Sequence, residues 1–353
     1  MTVLKLGSLF DGIGVFPLAA MYCGIEPVWA SEIEARPISI TKRHFPDMLH
    51  LGDITKINGA EVPPVDVITF GSPCQDLSQI GTRNGFAGKK SSLFYQAMRI
   101  IEEMRYATNG RYPAFTVWEN VAGAFSSNDR LDFAAMLRAF TGAEVSVPPR
   151  GWAHAGMVRG GRADTAWRLL DAQYWGEPAL VQRRKRVFVV ADFAGQRAGE
   201  VLFKPRTVLP FSAIGSPGEL SATARGGVSA AQTGRQVPIV RPFSLRRMRT
   251  MAQIGDQKGF CASFGRGGEP FPTLLASVTA PFSFWYEGEE RDGFLRVLTP
   301  LECERLMGLP ENWTKYGCKD EEISDHARYR ALGNSIALPC AEYVMAGIAE
   351  VMN

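Results

Sequence analysis

LKLGSLFDGIGVFPLAAMYCGIEPVWASE, residues 4 to 32, is the stretch whose reading decides the fold. A β-rich apolar run (Leu4 to Phe10) is followed by a helical pattern (Val15 to Cys23) and a second apolar run (Pro27 to Ser31). That is the rhythm of a strand, a crossover helix and a parallel strand. It continues outward through a helical pattern from Arg36 to His44, a strand from Val65 to Gly71 and a helix from Ser92 to Met104. Two more strand-like runs, Phe115 to Trp118 and Arg186 to Ala191, extend it. The expectation is an α/β fold with a doubly wound, mostly parallel sheet, covered by helices on both faces, within roughly the first 195 residues.

From about Gly195 to Asp292 the texture turns to Gly, Pro, Ser and Arg, as in ATARGGVS (Ala222 to Ser229) and SFGRGGEPFP (Ser263 to Pro272). A smaller, loop-rich unit is expected there. Helical patterning returns at Pro300 to Met307, with Thr299 as N-cap and Glu302 at the capping-box spacing, and a last amphipathic helix runs from about Leu338 to Val351.

A chain of 353 residues with 46% hydrophobic content can bury a sizeable core, and a net charge of only +3 leaves any nucleic-acid surface to local clusters of Arg and Lys. The six cysteines lie far apart without a C-x-x-C pair, and the four histidines do not flank them, so neither a metal site nor a disulfide framework is expected. No signal-peptide pattern opens the chain and no apolar run nears the ~20 residues of a membrane span. A soluble protein in the reducing cytoplasm is expected.

Chemistry collects at the strand ends. Gly12 and Gly14 follow the first strand, where a tight turn and backbone amides let a cofactor approach closely, although purely structural turns use the same residues. Glu32 ends the next strand and suits the ribose hydroxyls of an adenosine-containing cofactor, or is a solvated carboxylate at a helix start. Asp53, in Gly52-Asp53-Ile54, offers a partner for an adenine amino group or forms an Asx turn. GSPCQDLS (Gly71 to Ser78) displays Cys74 at the mouth of the sheet, where an ionised thiol can act as a nucleophile. Glu119 follows another strand and could face the same cleft. In Gln182-Arg183-Arg184-Lys185-Arg186, alternation along an extended chain would point Gln182, Arg184 and Arg186 together, unless the run is merely a solvated basic patch.

Taken in order, these stretches resemble the motif series of the DNA (cytosine-5) methyltransferase family of bacteria and their phages. The match continues through LTPLECERLMGLPENW (Leu298 to Trp313) and ALGNSIALPCAEYV (Ala331 to Val344). The resemblance implies a Rossmann-like, S-adenosylmethionine-dependent enzyme acting on double-stranded DNA, with residues 1–194 and 325–353 as the catalytic and cofactor-binding domain and 195–324 as target-recognition domain and hinge. It makes Cys74 the nucleophile at carbon 6 of a flipped cytosine, Glu119 the acid at N3 and the exocyclic amine, and Arg186, with Arg184 beside it, the group at the ring oxygen. Phe10, Gly12, Ile13, Gly14, Glu32, Asp53, Ile54, Pro73, Leu93, Asn334 and Ser335 match cofactor-contacting positions. Gln75, Ser78, Arg83, Lys89 and Lys90, in a loop hinged by Gly81, Gly85 and Gly88, would meet DNA together with Gln182. Arg225, Arg235, Arg246, Arg247, Arg249 or Arg266 would read bases. A monomer is expected.

Some residues depart from the family pattern. Asp11 stands where a small residue is common and Val15 where Gly is common, and Ala179-Leu180 lengthens the approach to the arginine motif. A tRNA cytosine-5 methyltransferase shares the motifs, and a catalytically silent DNA-binding homologue shares the fold. The arginine-rich variable segment favours duplex DNA, and the retention of Cys74, Glu119 and the arginines favours activity. A nicotinamide-dependent oxidoreductase would explain Gly12, Gly14 and Glu32, yet would leave Pro73-Cys74-Gln75 and Gly333-Asn334-Ser335 without purpose.

Overall fold

The computed structural model describes residues 3–72, 93–204 and 294–353, with short stretches at 239–242, 270–271, 273–274 and 282–286. Cys74 and its neighbours Pro73, Gln75, Ser78, Arg83, Lys89 and Lys90 lie outside the described residues, as do Arg225, Arg235, Arg246, Arg247, Arg249 and Arg266.

The opening stretch folds as its rhythm predicts. Strand β1 (Lys5–Leu9) leads through helix α1 (Val15–Tyr22) to β2 (Glu26–Ser31), which pairs parallel to β1. Helix α2 (Ala35–His44) leads to the short β3 (Leu49–His50), and β4 (Val67–Phe70) returns to the other side of β1. Helix α3 (Leu93–Ala107) then carries the chain to β5 (Phe115–Val121), parallel to β4. Gly7 is explained by packing. A Cβ there would lie 2.2 Å from the ring of Trp29, so the indole of β2 can cross β1 only over a glycine.

Beyond β5 the parallel expectation gives way. Helix α4 (Leu131–Thr141) is followed by a hairpin of β6 (Ala155–Arg159) and β7 (Asp164–Asp171), and then by β8 (Lys185–Asp192). The sheet order is β3-β2-β1-β4-β5-β8-β7-β6, and β8 runs antiparallel to both β5 and β7. The chain between β7 and β8 holds only the one-turn helix Ala172–Tyr174, without the longer helix that usually carries a parallel crossover, and β8 returns antiparallel beside β7. Six of the eight strands still point the same way.

Both faces of the sheet are buried, so its strands read as unbroken apolar runs and the alternation decides only which core each residue joins. Val187, Val189, Trp118, Phe70 and Trp167 pack under α3 and α4 with Phe94, Phe133 and Phe140. Phe94 meets Trp118 and Phe140 edge-on, contacts that each contribute about 0.5–1.5 kcal/mol beyond area burial. Phe188, Val190, Leu6, Val67, Phe115 and Val117 face the opposite core, shared with α1 and the C-terminal helices.

Helix α5 (Ala198–Leu202) and the segment from Leu298 onward enter that second core together. Helix α6 (Pro300–Leu306) starts with the expected capping box, the Thr299 hydroxyl accepting from the Glu302 amide and the Glu302 carboxylate from the Thr299 amide. Helices α7 (Asp325–Asn334) and α8 (Leu338–Met352) close the chain, α8 packing on α1 and α5. Between α5 and α6, strands β9 (Ile239–Pro242), β10 (Phe282–Tyr286) and β11 (Phe294–Val297) form a separate antiparallel sheet. Among the described residues no single helix is long and apolar enough to cross a membrane.

Candidate active site at the carboxyl edge of the sheet

The carboxyl ends of β1, β2, β4 and β5 meet along one edge of the sheet, where ligands bind in open α/β folds. At the end of β1, Phe10, Gly12 and Gly14 all have positive φ (54°, 59° and 77°), so the chain turns sharply before entering α1. Two of the three are glycines because that region costs an L side chain strain. The Gly12 amide donates to Glu32 Oε2 at 2.9 Å, and Glu32 Oε1 accepts from the amides of Ile33 and Glu34. Glu32 is therefore a fixed acceptor beside the turn.

Asp11 lies within this turn with both carboxylate oxygens buried and outside any hydrogen bond. Burial pushes its pKa up to about 7, the charge of Glu32 adds to the rise, and the hydroxyls of Ser8 and Thr41 oppose it. Next to it, β2 and β3 bring Asp53 close through the Ser31 hydroxyl, which donates to the Gly52 carbonyl at 2.6 Å. Asp53 is exposed and forms the Asx-type turn, its Oδ1 accepting from the Thr55 amide (2.9 Å) and hydroxyl (2.8 Å). Those bonds hold its pKa below the ordinary value. Ile54 is buried in the core under α3, and Leu93 is the first residue of α3.

At the centre of the edge, Glu119 near the end of β5 is 9% exposed. The β5–β8 register places Val121 opposite Arg186 and Glu119 opposite Phe188, so Glu119 and Arg186 share a face as diagonal neighbours. Arg186 Nε lies 2.9 Å from Glu119 Oε1, an ion pair whose angles fall outside hydrogen-bond geometry. Burial raises the Glu119 pKa while Arg186 and Arg184 pull it down, and the net direction is up. The chain leading to Cys74 is pinned against this pair. Trp118 Nε1 donates to the Ser72 hydroxyl at 3.0 Å and Asn120 Nδ2 to the Ser72 carbonyl at 3.1 Å. A Cβ on Gly71 would sit 3.0 Å from Glu119 Oε2, so only glycine leaves the carboxylate unpressed.

The shared face expected for Gln182, Arg184 and Arg186 is turned inward for the first two. Gln182 is fully buried, with Nε2 donating to the Leu306 carbonyl, so its side chain does not reach solvent to touch DNA. Arg184 is 1% exposed. Its guanidinium donates to the carbonyls of Leu274, Gly333 and Ser335, and its amide donates to Asp171. Burial, reinforced by Arg186, lowers its pKa to about 9. Arg184 therefore gives its two terminal nitrogens to carbonyls, while its buried Nε makes no hydrogen bond. Through Arg184 the Gly333-Asn334-Ser335 stretch at the end of α7 is tied to the start of β8. Residues that the sequence left without a role here are Ser72, Asn120 and Asp171. Asn120 stands next to the candidate Glu119, whereas nothing local marks Ser72 or Asp171. Among the described residues no cluster of three or more His, Cys, Asp or Glu is placed to hold a metal ion.

A glycine turn facing an acidic β2 terminus, with a buried carboxylate–guanidinium pair further along the same edge, is the arrangement of an α/β enzyme that takes a nucleoside-containing cofactor. The chain belongs to the C-5 cytosine-specific DNA methylase family, which it matches over residues 4–204 and 248–350. The activity of that family is S-adenosylmethionine-dependent transfer to carbon 5 of cytosine. The Type II methyltransferase M1.ScrFI of Lactococcus lactis subsp. cremoris is 26% identical over 99% of this chain and 78% of its own. The Type II methyltransferase M.HhaI of Haemophilus parahaemolyticus is 23% identical over 100% and 96%. An Escherichia phage P1 protein named DNA N-6-adenine-methyltransferase is 24% identical, and this chain spans 61% of its length. In fold, the S. pombe Dnmt2 methyltransferase superposes with a TM-score of 0.60 at 16% identity, covering 99% of both chains.

Two expectations follow from the geometry. The proton on Asp11 favours the folded state, an advantage complete below the ordinary carboxylate range and lost as pH rises through about 7. In cofactor-free protein, Asp11→Asn should raise the melting temperature more at pH 8 than at pH 5.5, and an equal gain at both would show that the carboxyl does not titrate in this range. Gly71→Ala should push the Glu119 carboxylate aside by a few tenths of an ångström, read as a lowered turnover with cofactor affinity by calorimetry within about twofold of wild type.

Proposed function

We propose that this chain methylates carbon 5 of cytosine in double-stranded DNA, with Cys74 as covalent nucleophile, Glu119 as acid at the ring edge and Arg186 at the ring oxygen. The observation that carries this reading is the buried Glu119–Arg186 pair, with Gly71 and Ser72 fixed against it. Cys74 follows Ser72 by two residues, and at ~3.8 Å between consecutive Cα atoms the covalent chain limits their separation to about 8 Å.

The donor set at the glycine turn fits S-adenosylmethionine. Glu32 offers a fixed carboxylate for ribose hydroxyls, and the unpartnered Asp11 carboxylate suits a cationic group. Phe10, Gly12, Ile13, Gly14, Asp53, Ile54, Pro73, Leu93, Asn334 and Ser335 would complete the surroundings. Of these, Asp53 has one oxygen committed to Thr55, and Ile54 acts from the core beneath. When bound, the cofactor supplies an electrophilic methyl group.

A cytosine within a duplex is stacked, so it must first leave the helix at a cost of a few kcal/mol, roughly. The Cys74 thiolate adds to carbon 6, and the displaced ring electrons make carbon 5 nucleophilic. Glu119 supplies the proton at N3, and its raised pKa keeps that proton available nearer neutrality. Arg186 meets the negative charge growing on the ring oxygen. After methylation, loss of the carbon 5 proton re-forms the double bond and expels Cys74. Arg184 we read as a positioning residue, since its guanidinium holds three carbonyls.

Residues 195–324 would read the DNA sequence, the two ends of that segment packing into the core as its hinge. Gln75, Ser78, Arg83, Lys89 and Lys90 would hold the opened strand. The free thiols of Cys23, Cys303, Cys318 and Cys340 suit a reducing cytoplasm, and one chain carrying both site and reader suits a monomer.

With tritiated S-adenosylmethionine, wild-type protein should label duplex DNA as 5-methylcytosine, and Cys74→Ala should abolish labelling while binding cofactor as before. Full labelling by Cys74→Ala would exclude the covalent route. Labelling of tRNA but not DNA would redirect the substrate.

A further inference from the structure

The carbonyls of the cofactor turn are held by side chains from elsewhere. The indole Nε1 of Trp313 donates to the Ile13 carbonyl at 2.8 Å, while the single hydroxyl proton of Thr41 in α2 is shared between the Pro37 carbonyl at 3.0 Å and the Gly12 carbonyl at 3.2 Å. Trp313 is 5% exposed and stacks on the imidazole of His44, with ring centroids 3.5 Å apart and planes 6° from parallel, while Phe45 meets it edge-on. His44 Nε2 lies 2.8 Å from the Trp313 carbonyl, and a carbonyl only accepts, so that nitrogen carries the proton.

The turn that presents Trp313 is itself fixed by a buried carboxylate. Glu304, in α6, accepts from the amides of Asn312 (2.8 Å) and Thr314 (2.9 Å), from the Thr314 hydroxyl and from Arg328 at 3.0 Å. Arg328 also donates to the Thr314 hydroxyl. Four donors on one buried carboxylate leave residues 312–314 little freedom. The indole reaches the glycine turn from a rigid base.

We propose that Trp313 is a positioning residue that preorganises the Gly12-Ile13-Gly14 turn for the cofactor. This rests on the reading that the turn takes S-adenosylmethionine. A turn built on two glycines has many conformations to lose, and fixing it before the ligand arrives removes that cost from binding. Because Trp313 belongs to the segment that follows the variable region, the same contact links that segment to the cofactor turn.

The test is Trp313→Phe, which keeps an aromatic ring against His44 and removes only the N–H donor. Calorimetry without DNA should find S-adenosylmethionine and S-adenosylhomocysteine bound about five- to tenfold more weakly. The KM for cofactor should rise in parallel, with kcat at saturating cofactor and the KM for DNA within about twofold of wild type. Wild-type affinity in the folded variant, or a loss confined to kcat, would overturn the proposal. If Trp313→Phe does not fold, hydrogen exchange of the Trp313 indole N–H in the cofactor-free wild type carries the test: a protected proton is expected, and an unprotected one means that the turn is not held before the ligand arrives and overturns the proposal. Should the wild type bind neither compound, the reading of the turn itself fails, and this inference falls with it.

Discussion

The site depends on the register between β5 and β8. Their pairing runs from Phe115 opposite Asp192 to Val121 opposite Arg186, and it sets Glu119 and Arg186 on one face with Phe115, Val117, Phe188 and Val190. A slip of one residue would send Glu119 into the aromatic core under α3 and α4 and bring Trp118 to its place. That is forbidden twice, by an unpaired carboxylate among Phe94, Phe133 and Phe140 and by an indole N–H without Ser72. The apolar packing on both faces is thus what aims the charged pair.

The charges themselves are arranged in depth. Arg184 is the innermost, its terminal nitrogens held by carbonyls from two distant parts of the chain. Arg186 lies nearer the surface and pairs with Glu119. Two guanidinium groups in succession would repel if both sought the same carboxylate, and the burial of the first against neutral acceptors leaves the second to it. The lowered pKa of Arg184 and the raised one of Glu119 share one cause, removal from water, acting on opposite charges.

Local pattern made part of this legible. The β1-α1-β2 unit, α2, α3, the capping box at Thr299 and the terminal helix all announce themselves by periodicity, glycine or capping chemistry, and each falls within a few residues of its expected place. The hairpin of β6 and β7 does not, since β7 is buried over most of its length, with Asp164 and Thr165 inside, and has no polar alternation to read. Strand direction leaves no local trace either, which hid the reversal at β8. The strand-end residues Gly12, Glu32 and Glu119 were visible because strands declare their ends. Burial of Gln182 and Arg184 was not, because alternation groups side chains without saying which way the group faces. The Trp313 contact spans 300 positions, and no short-range rule reaches it.

The chain leaves the core after Leu202, returns to it at Phe271 and Leu274 and again at Leu298, and all of these anchors sit in the same apolar cluster. Everything between them is therefore a closed excursion whose ends are already tethered. Closing a longer excursion costs little, about 0.6 kcal/mol for each doubling of length. Changes of length between these anchors are therefore open to the architecture at small thermodynamic risk, provided Phe271, Leu274 and the Leu274 carbonyl that receives Arg184 are kept.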